Sequence, residues 1–315
     1  MTEGINDELR SAAEAQDGLF TTAQARSAGY DKWSLCRLVK AGACVHLCRG
    51  VYAACDGVRR TPEQEHGRLS RAALLVYPDA LLSGHSALNE LGLPVWGADL
   101  ARAHLERNVR HEVLTQRFVI RPRLITELQE SERCEHPAAA VVQHCLENGA
   151  SAGIVAADAG IHASVLTVDD LEVAARAIAG WARSSRVRTM LAHADGRSES
   201  PGESRLRFGL TVAGVETEPQ VLIRDDLGYA VGRVDLLVKG TRVVVEFDGK
   251  VKYADGNGET LWQEKRREDG LRRLGYTVVR VIWADLYDMP KVIRWVRAAV
   301  IASEKGAPHP GSLPG

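Results

Sequence analysis

The chain has 315 residues, 45% hydrophobic and 26% charged, with 40 Lys and Arg against 41 Asp and Glu for a formal net charge of -1. It is too apolar to be a disordered polymer, long enough for about two or three buried cores, and without any apolar run near the roughly 20 residues that span a bilayer. Near-neutrality does not exclude a nucleic-acid partner, because the local distribution of charge governs a site more than the total does.

After an opening helix, Gly18-Leu19-Phe20-Thr21-Thr22-Ala23-Gln24-Ala25-Arg26-Ser27-Ala28-Gly29-Tyr30 reads as a short helix capped by Thr21 or Thr22 and stopped by Gly29. A second helix follows over Asp31 to Ala41, with Trp33, Leu35, Leu38 and Val39 on one side and Lys32, Arg37 and Lys40 outside. Two short helices about a glycine turn are a helix-turn-helix arrangement, and Ala43 to Ala53, with Arg49-Gly50-Val51-Tyr52, reads as a β-ribbon. On Gly18 to Ala25 and Arg49 to Tyr52 the segment resembles the winged-helix domain of AbiEi-family antitoxins. The resemblance implies that the second helix enters the major groove with Lys32, Ser34, Arg37 and Lys40, while Arg49 contacts phosphate. Winged helices also serve as protein-interaction modules, and three cations on a helix can be a solvated face.

Residues 62–195 are Ala- and Leu-rich and mostly helical in pattern. Leu82-Ser83-Gly84-His85-Ser86-Ala87-Leu88 is similar to the corresponding part of the same antitoxin-like proteins, and His85, among small residues at a helix start, reads as capping or structural rather than catalytic. Val95 to Arg123 has broken, β-like alternation, and 137–192 read as successive amphipathic helices, with Asp158, Asp169 and Asp170 as surface or cap residues. Cys36, Cys44, Cys48 and Cys55 cluster around His46, but their spacing matches no common zinc motif, so buried, reduced thiols are the expectation.

The C-terminal third carries acids in the order helix, strand, strand. Ser200-Pro201-Gly202-Glu203 opens a helix, with Pro and an acid in its first turn. Val234-Asp235-Leu236-Leu237-Val238 is an apolar strand with one acid inside it, and Lys239-Gly240-Thr241 turns into Arg242-Val243-Val244-Val245-Glu246-Phe247-Asp248. Side chains alternate along a strand, so Glu246 and Asp248 share one face and Val245 and Phe247 the other, which makes the acidic face distinct from the core face. Acids within a Val-rich hairpin are costly unless a cation neutralises them. The simpler alternative pairs Asp235 and Glu246 with Arg233 or Arg242. A charged helix over Glu259 to Leu274, stopped by Gly275, precedes a strand over Thr277 to Trp283.

On Ser200 to Ser204, Val234-Asp235-Leu236, Glu246-Phe247-Asp248-Gly249-Lys250-Val251-Lys252-Tyr253 and Glu264 to Glu268, this region resembles small domains related to very-short-patch-repair endonucleases, in the PD-(D/E)XK superfamily. The resemblance implies Mg²⁺- or Mn²⁺-dependent cleavage of DNA, with Glu203, Asp235 and Glu246 as metal ligands that clamp the scissile phosphate. The superfamily lysine two residues beyond the second-strand acid is replaced by Asp248. Lys252 and Lys265 are therefore candidates for its role, with Lys250 behind them, and Tyr253 falls where related enzymes place a histidine.

The fold class expected is multidomain α/β: a winged helix over 1–58, an AbiEi-like, mostly helical middle over 62–195, a PD-(D/E)XK-like α/β sandwich with a mixed sheet over 198–300, and a disordered tail over 303–315. Two functions stand open. One is a metal-dependent DNA endonuclease directed by its N-terminal domain, in phage defence or DNA repair. The other is a non-catalytic antitoxin or transcriptional regulator with a vestigial nuclease-like domain, partnered by a cognate toxin or defence-system protein. The N-terminus Met1-Thr2-Glu3-Gly4 lacks a signal peptide, so the expected compartment is the cytoplasm, without membrane partners, and the Ala- and Arg-rich usage points to a high-GC bacterium.

Overall fold

Side-chain caps set the N-terminal helices of the computed structural model, which describes residues 4–123, 125–249 and 258–306, except the side chains of 258–264 and 305–306. Asn6 accepts the Leu9 N–H at 3.0 Å and opens α1 (Asp7–Glu14). After β1 (Leu19–Thr21), Thr21 and Gln24 form a reciprocal capping box that starts α2 (Thr22–Ser27). Gly29, at φ +87°, makes the turn, and Asp31 caps α3 (Lys32–Lys40) through the Ser34 N–H at 2.7 Å. Strands β2 (Cys44–Cys48) and β3 (Val51–Ala54) then pair antiparallel, in a sheet of order β1-β3-β2. Leu9, Phe20, Ala25, Leu35 and Leu38 close a small core beneath them. Trp33 does not join it. Leu35 and Leu38 face inward three residues apart, which turns Trp33 about 200° away from Leu35, and it is 74% exposed.

The described residues divide into two compact units, one drawn from Met1–Ala156 and Val165–Leu191, the other from Ala157–Ser164 and Ala192–Gly315. Within the first, α4 (Pro62–Val76) starts on a second capping box, Thr61 with Gln64. Strands β4 (Leu81–Leu82), β5 (Ala103–Arg107), β6 (Val113–Leu114) and β7 (Phe118–Pro122) form a sheet of order β4-β5-β7-β6, with β5 and β7 parallel, in the region of broken alternation. Helix α5 (Gly84–Glu90) lies between β4 and β5 in sequence, and α6 (Pro137–Asn148) supplies Ala138 to Val142 and Cys145, all buried. Helices α7 (Ala150–His162), α8 (Val168–Ala177) and α9 (Ser184–His193) follow. Asp170 completes a capping box with Thr167. Asp158, expected to be a surface or cap residue, is instead fully buried: its Oδ2 pairs with Arg207 at 2.7 Å and its Oδ1 accepts the Asp195 N–H at 2.7 Å. Full burial of a carboxylate requires such partners, and the alanine-rich helical pattern gave no sign of a distant arginine.

In the second unit α10 (Pro201–Val212) is followed by β8 (Thr217–Arg224), β9 (Ala230–Val238) and β10 (Val243–Asp248), an antiparallel run. Then α11 (Gly258–Arg273) leads to β11 (Thr277–Ile282), which lies parallel to β10, and a short 3-10 turn precedes α12 (Met289–Gly306). The mixed sheet runs β11-β10-β9-β8. Edge strand β8 tolerates Pro219 because a missing N–H costs least at an edge. Its half-exposed, polar sequence gives little alternation to read, and neither it nor α12 was evident beforehand. Helix α12 runs to Gly306, so 303–306 are helical rather than part of a disordered tail; 307–315 lie outside the described residues.

Both faces of this sheet are packed. Val243 and Val245 join Leu206, Leu210, Val292 and Val296 in one core, whereas Val244 joins Leu271 and Ile223 in another. The face that carries Glu246 is therefore a second core beneath α11, not a bare acidic face. A side chain such as Leu206 or Leu210, fully buried here, contributes on the order of 1.5–3 kcal/mol. Gly202 is required by packing: a Cβ there would stand 2.0 Å from the Phe247 ring.

Candidate acidic site and nucleic-acid interface

Glu203 at the start of α10 and Glu246 on β10 both act as like charges on Asp235, in the middle of β9. Glu203 sits in the first turn of α10, where the Ser200 hydroxyl donates to its Oε1 at 2.7 Å. Its Oε2 accepts the Glu199 N–H at 3.0 Å and Gln220 Nε2 at 2.9 Å. Gln220 reaches it from a kink in β8, at φ +57°. On β9, Asp235 accepts the Phe247 N–H of the neighbouring strand at 2.8 Å through Oδ2. Its side chain thus stands where a backbone carbonyl would continue the ladder. Burial, followed by repulsion from Glu203 and Glu246, lifts the Asp235 carboxyl to about 6, against the pull of the Phe247 N–H and of Arg267.

Glu246, buried on β10, pairs with Arg267 of α11, Nη1 to Oε1 at 2.7 Å. The same Nη1 donates to the Arg233 carbonyl at 2.9 Å. Gly232 makes that approach possible, since a Cβ there would meet Arg267 Cδ at 2.7 Å. Arg233 pairs with Glu199 at 2.6 Å, so the cation at Glu246 is neither of the two arginines weighed from sequence. Asp248, two residues further along β10, is half-buried. Lys265 stands exposed on α11, about 200° around the helix from Arg267. Lys250, Lys252 and Tyr253 lie outside the described residues. Arg267 and Gln220 were missed: one lies in a uniformly charged helix, the other in a strand without clear alternation. Among the described residues, Glu203, Asp235 and Glu246 do not form a trio with all ligand atoms within 4.8 Å.

At the N-terminal element, Lys32, Arg37 and Lys40 are exposed on α3, and Arg49 is exposed at the turn between β2 and β3. Ser34 is partly committed to the cap, its hydroxyl lying 2.6 Å from Asp31 Oδ1. Of the clustered cysteines, Cys44 and Cys48 are buried and Cys36 and Cys55 exposed; burial raises the Cys44 and Cys48 thiols to about 11. Reactive thiolates are therefore disfavoured at both.

Among the described residues, His85, His104 and Glu147, in the first unit, do bring one ligand atom each within 4.8 Å of the others. His85 and His104 are buried, with ring centroids 4.1 Å apart. Burial lowers the His85 imidazole to about 3 and that of His104 well below its ordinary value, so both are neutral. His85 thus belongs to a buried polar cluster, and Ser83, not His85, holds the cap position of α5.

Residues 7–54 match the family model described as transcriptional regulator, AbiEi antitoxin. The match ends at Ala54, the last residue of β3. No curated protein matches the chain. No helix among the described residues is long and apolar enough to cross a membrane.

Proposed function

We propose that this chain is a DNA-binding protein whose second unit is a metal-dependent phosphodiesterase of the PD-(D/E)XK type. The observation that carries the catalytic part is Asp235: a half-buried carboxylate on the central hairpin that accepts the Phe247 N–H and feels the charges of Glu203 and Glu246, which together with its partial burial raise its proton affinity. An all-oxygen donor set suits Mg²⁺ or Mn²⁺, and a site that penalises its own negative charge favours a cation. Glu203, Asp235 and Glu246 would hold the ion, with Asp248 bordering them. When bound, it supplies charge neutralisation and polarises the scissile phosphate. The chain's own part is to orient these carboxylates, through Ser200, Gln220 and the Phe247 N–H, and to supply a cation, Arg267, beside Glu246.

The DNA-binding part rests on the matched family and on the element order helix, strand, helix, helix, strand, strand over residues 7–54, the order of a winged helix. In that reading α3 enters the major groove with Lys32, Ser34, Arg37 and Lys40, and Arg49 meets phosphate.

A second reading is favoured by the Arg267 to Glu246 ion pair, which already neutralises one of the three acids. There the second unit no longer cleaves, and the chain is an antitoxin-type regulator with a toxin partner. Purified chain incubated with supercoiled plasmid and with single-stranded DNA, with and without Mg²⁺ or Mn²⁺, separates the two. Nicking that depends on metal and is lost in Asp235→Asn supports the nuclease. DNA binding without cleavage in either metal selects the regulator.

A further inference from the structure

The first unit holds a second constellation, unrelated to the acids of the nuclease-like sheet. His85 on α5, His104 on β5 and Glu147 on α6 converge, with one ligand atom of each within 4.8 Å of the others. His104 Nδ1 lies 3.4 Å and His85 Nδ1 4.0 Å from Glu147 Oε2. Ligands in a tetrahedral shell with bonds of about 2.1 Å stand about 3.4 Å apart, so one distance matches and the other closes with a small side-chain rotation.

The hydrogen bonding leaves the right atoms available. Both Nδ1 atoms are buried and have no hydrogen-bond partner among the described residues, an arrangement that costs stability in a folded core. His85 Nε2 lies 3.3 Å from the Arg102 carbonyl, a contact it makes as a donor; that tautomer leaves the lone pair on Nδ1, toward Glu147. Glu147 Oε1 pairs with Arg121, whose Nε is held by Glu112 at 2.6 Å, so the carboxylate is braced with Oε2 turned to the histidines. His104 is placed by its own backbone, whose N–H donates to Ser86 Oγ at 2.8 Å, and that hydroxyl also meets His66 Nε2 at 2.8 Å.

We propose that His85, His104 and Glu147 form a binding site for a first-row transition-metal dication, Zn²⁺ foremost, that ties α5, β5 and α6 together. Two imidazoles and a carboxylate suit Zn²⁺ and its neighbours rather than Mg²⁺ or Ca²⁺, which take oxygen ligands. The Glu147 side chain is 23% exposed, which gives the ion a route from solvent. The site differs in place and donor type from both the acidic cluster and the N-terminal cysteines.

The test uses the full chain, stripped with a chelator and titrated with ZnCl₂ by calorimetry, in wild type and in Asp235→Asn, His85→Gln and Glu147→Gln. With excess Mg²⁺ present to occupy the acidic cluster, about one equivalent should bind in wild type and in Asp235→Asn, with affinity at least about 100-fold weaker in folded His85→Gln and Glu147→Gln. X-ray absorption at the zinc edge of wild type decides the matter even if a variant does not fold. A shell of nitrogen and oxygen with imidazole scattering supports the site. The proposal is overturned by a sulfur-containing shell, by wild type that takes up no Zn²⁺, by loss of binding in Asp235→Asn, or by undiminished binding in a folded His85→Gln or Glu147→Gln.

Discussion

Arg267 Nη1 lies 2.7 Å from Glu246 Oε1 and so supplies, from the helix covering the sheet, a positive charge beside an acid of the candidate site. The guanidinium also donates to the Arg233 carbonyl, so its position is fixed twice. A cation held there competes with a metal for Glu246. Arg267→Gln is therefore expected to raise Mn²⁺ affinity about tenfold, equivalent to about 1.4 kcal/mol, measured by calorimetry on the full chain. An unchanged affinity would show that Glu246 does not ligate the ion.

Asp235 sets a pH dependence whose sign is fixed by its raised carboxyl. The folded chain holds this proton up to about 6, whereas an unfolded aspartate releases it near 3.8. Between those values the folded state binds more protons, so this group's contribution to stability falls as pH rises and is constant above the folded value. Asp235→Asn removes the charge and keeps an acceptor for the Phe247 N–H. In chelator the variant should match wild type below about pH 4 and exceed it by about 1 to 2 kcal/mol at neutral pH, an amount discounted for partial exposure. Denaturant unfolding at both pH values checks this; an equal gain at both would assign the effect to packing.

The buried pair Arg207 and Asp158 makes the opposite case, because its partners are nearly inaccessible, at 8% and 1% side-chain exposure. Arg207→Met leaves a buried carboxylate without its cation and is expected to cost about 3 to 5 kcal/mol. Arg207→Met with Asp158→Leu should recover most of that loss, since the pair's own desolvation is removed along with its attraction. A double variant as unstable as the single one would mean that the Asp195 N–H and Ser198 hydroxyl, both tied to this pair, carry the larger share.

What could be read in the sequence were features with local causes. Thr21 and Gln24, Asp31, and Gly29 fix helix ends by contacts within a few residues, and those ends fall where the pattern placed them. The two central strands of the second unit's sheet and the helix stopped by Gly275 were legible for the same reason. Long-range partners left no such trace. Asp158 finds Arg207 across 49 residues of sequence, and Glu147 meets Arg121 across 26. His85 read as capping or structural, and it is structural; its cluster could not be read because its neighbours His66 and His104 are separated from it by whole elements. Trp33 misled because an aromatic beside Leu35 suggests core, although helical rotation turns it outward.

That outward face of α3 gives the last expectation. Lys32, Arg37 and Lys40 are exposed, and the 74% exposed Trp33 stands among them. If the face meets DNA, each cation that neutralises a phosphate releases about one counterion, and the logarithmic salt slope falls by about 0.9 for each contact removed. Lys32→Ala, Arg37→Ala and Lys40→Ala combined should weaken binding and flatten the slope by up to about 3. Trp33→Ala should weaken binding with the slope unchanged, because stacking or apolar contact releases no counterions. Fluorescence anisotropy over a salt series, with circular dichroism confirming the fold, measures both. Retained affinity and slope in the triple variant would turn α3 from a DNA-reading helix into a surface for a protein partner, the toxin-binding role of the regulator reading.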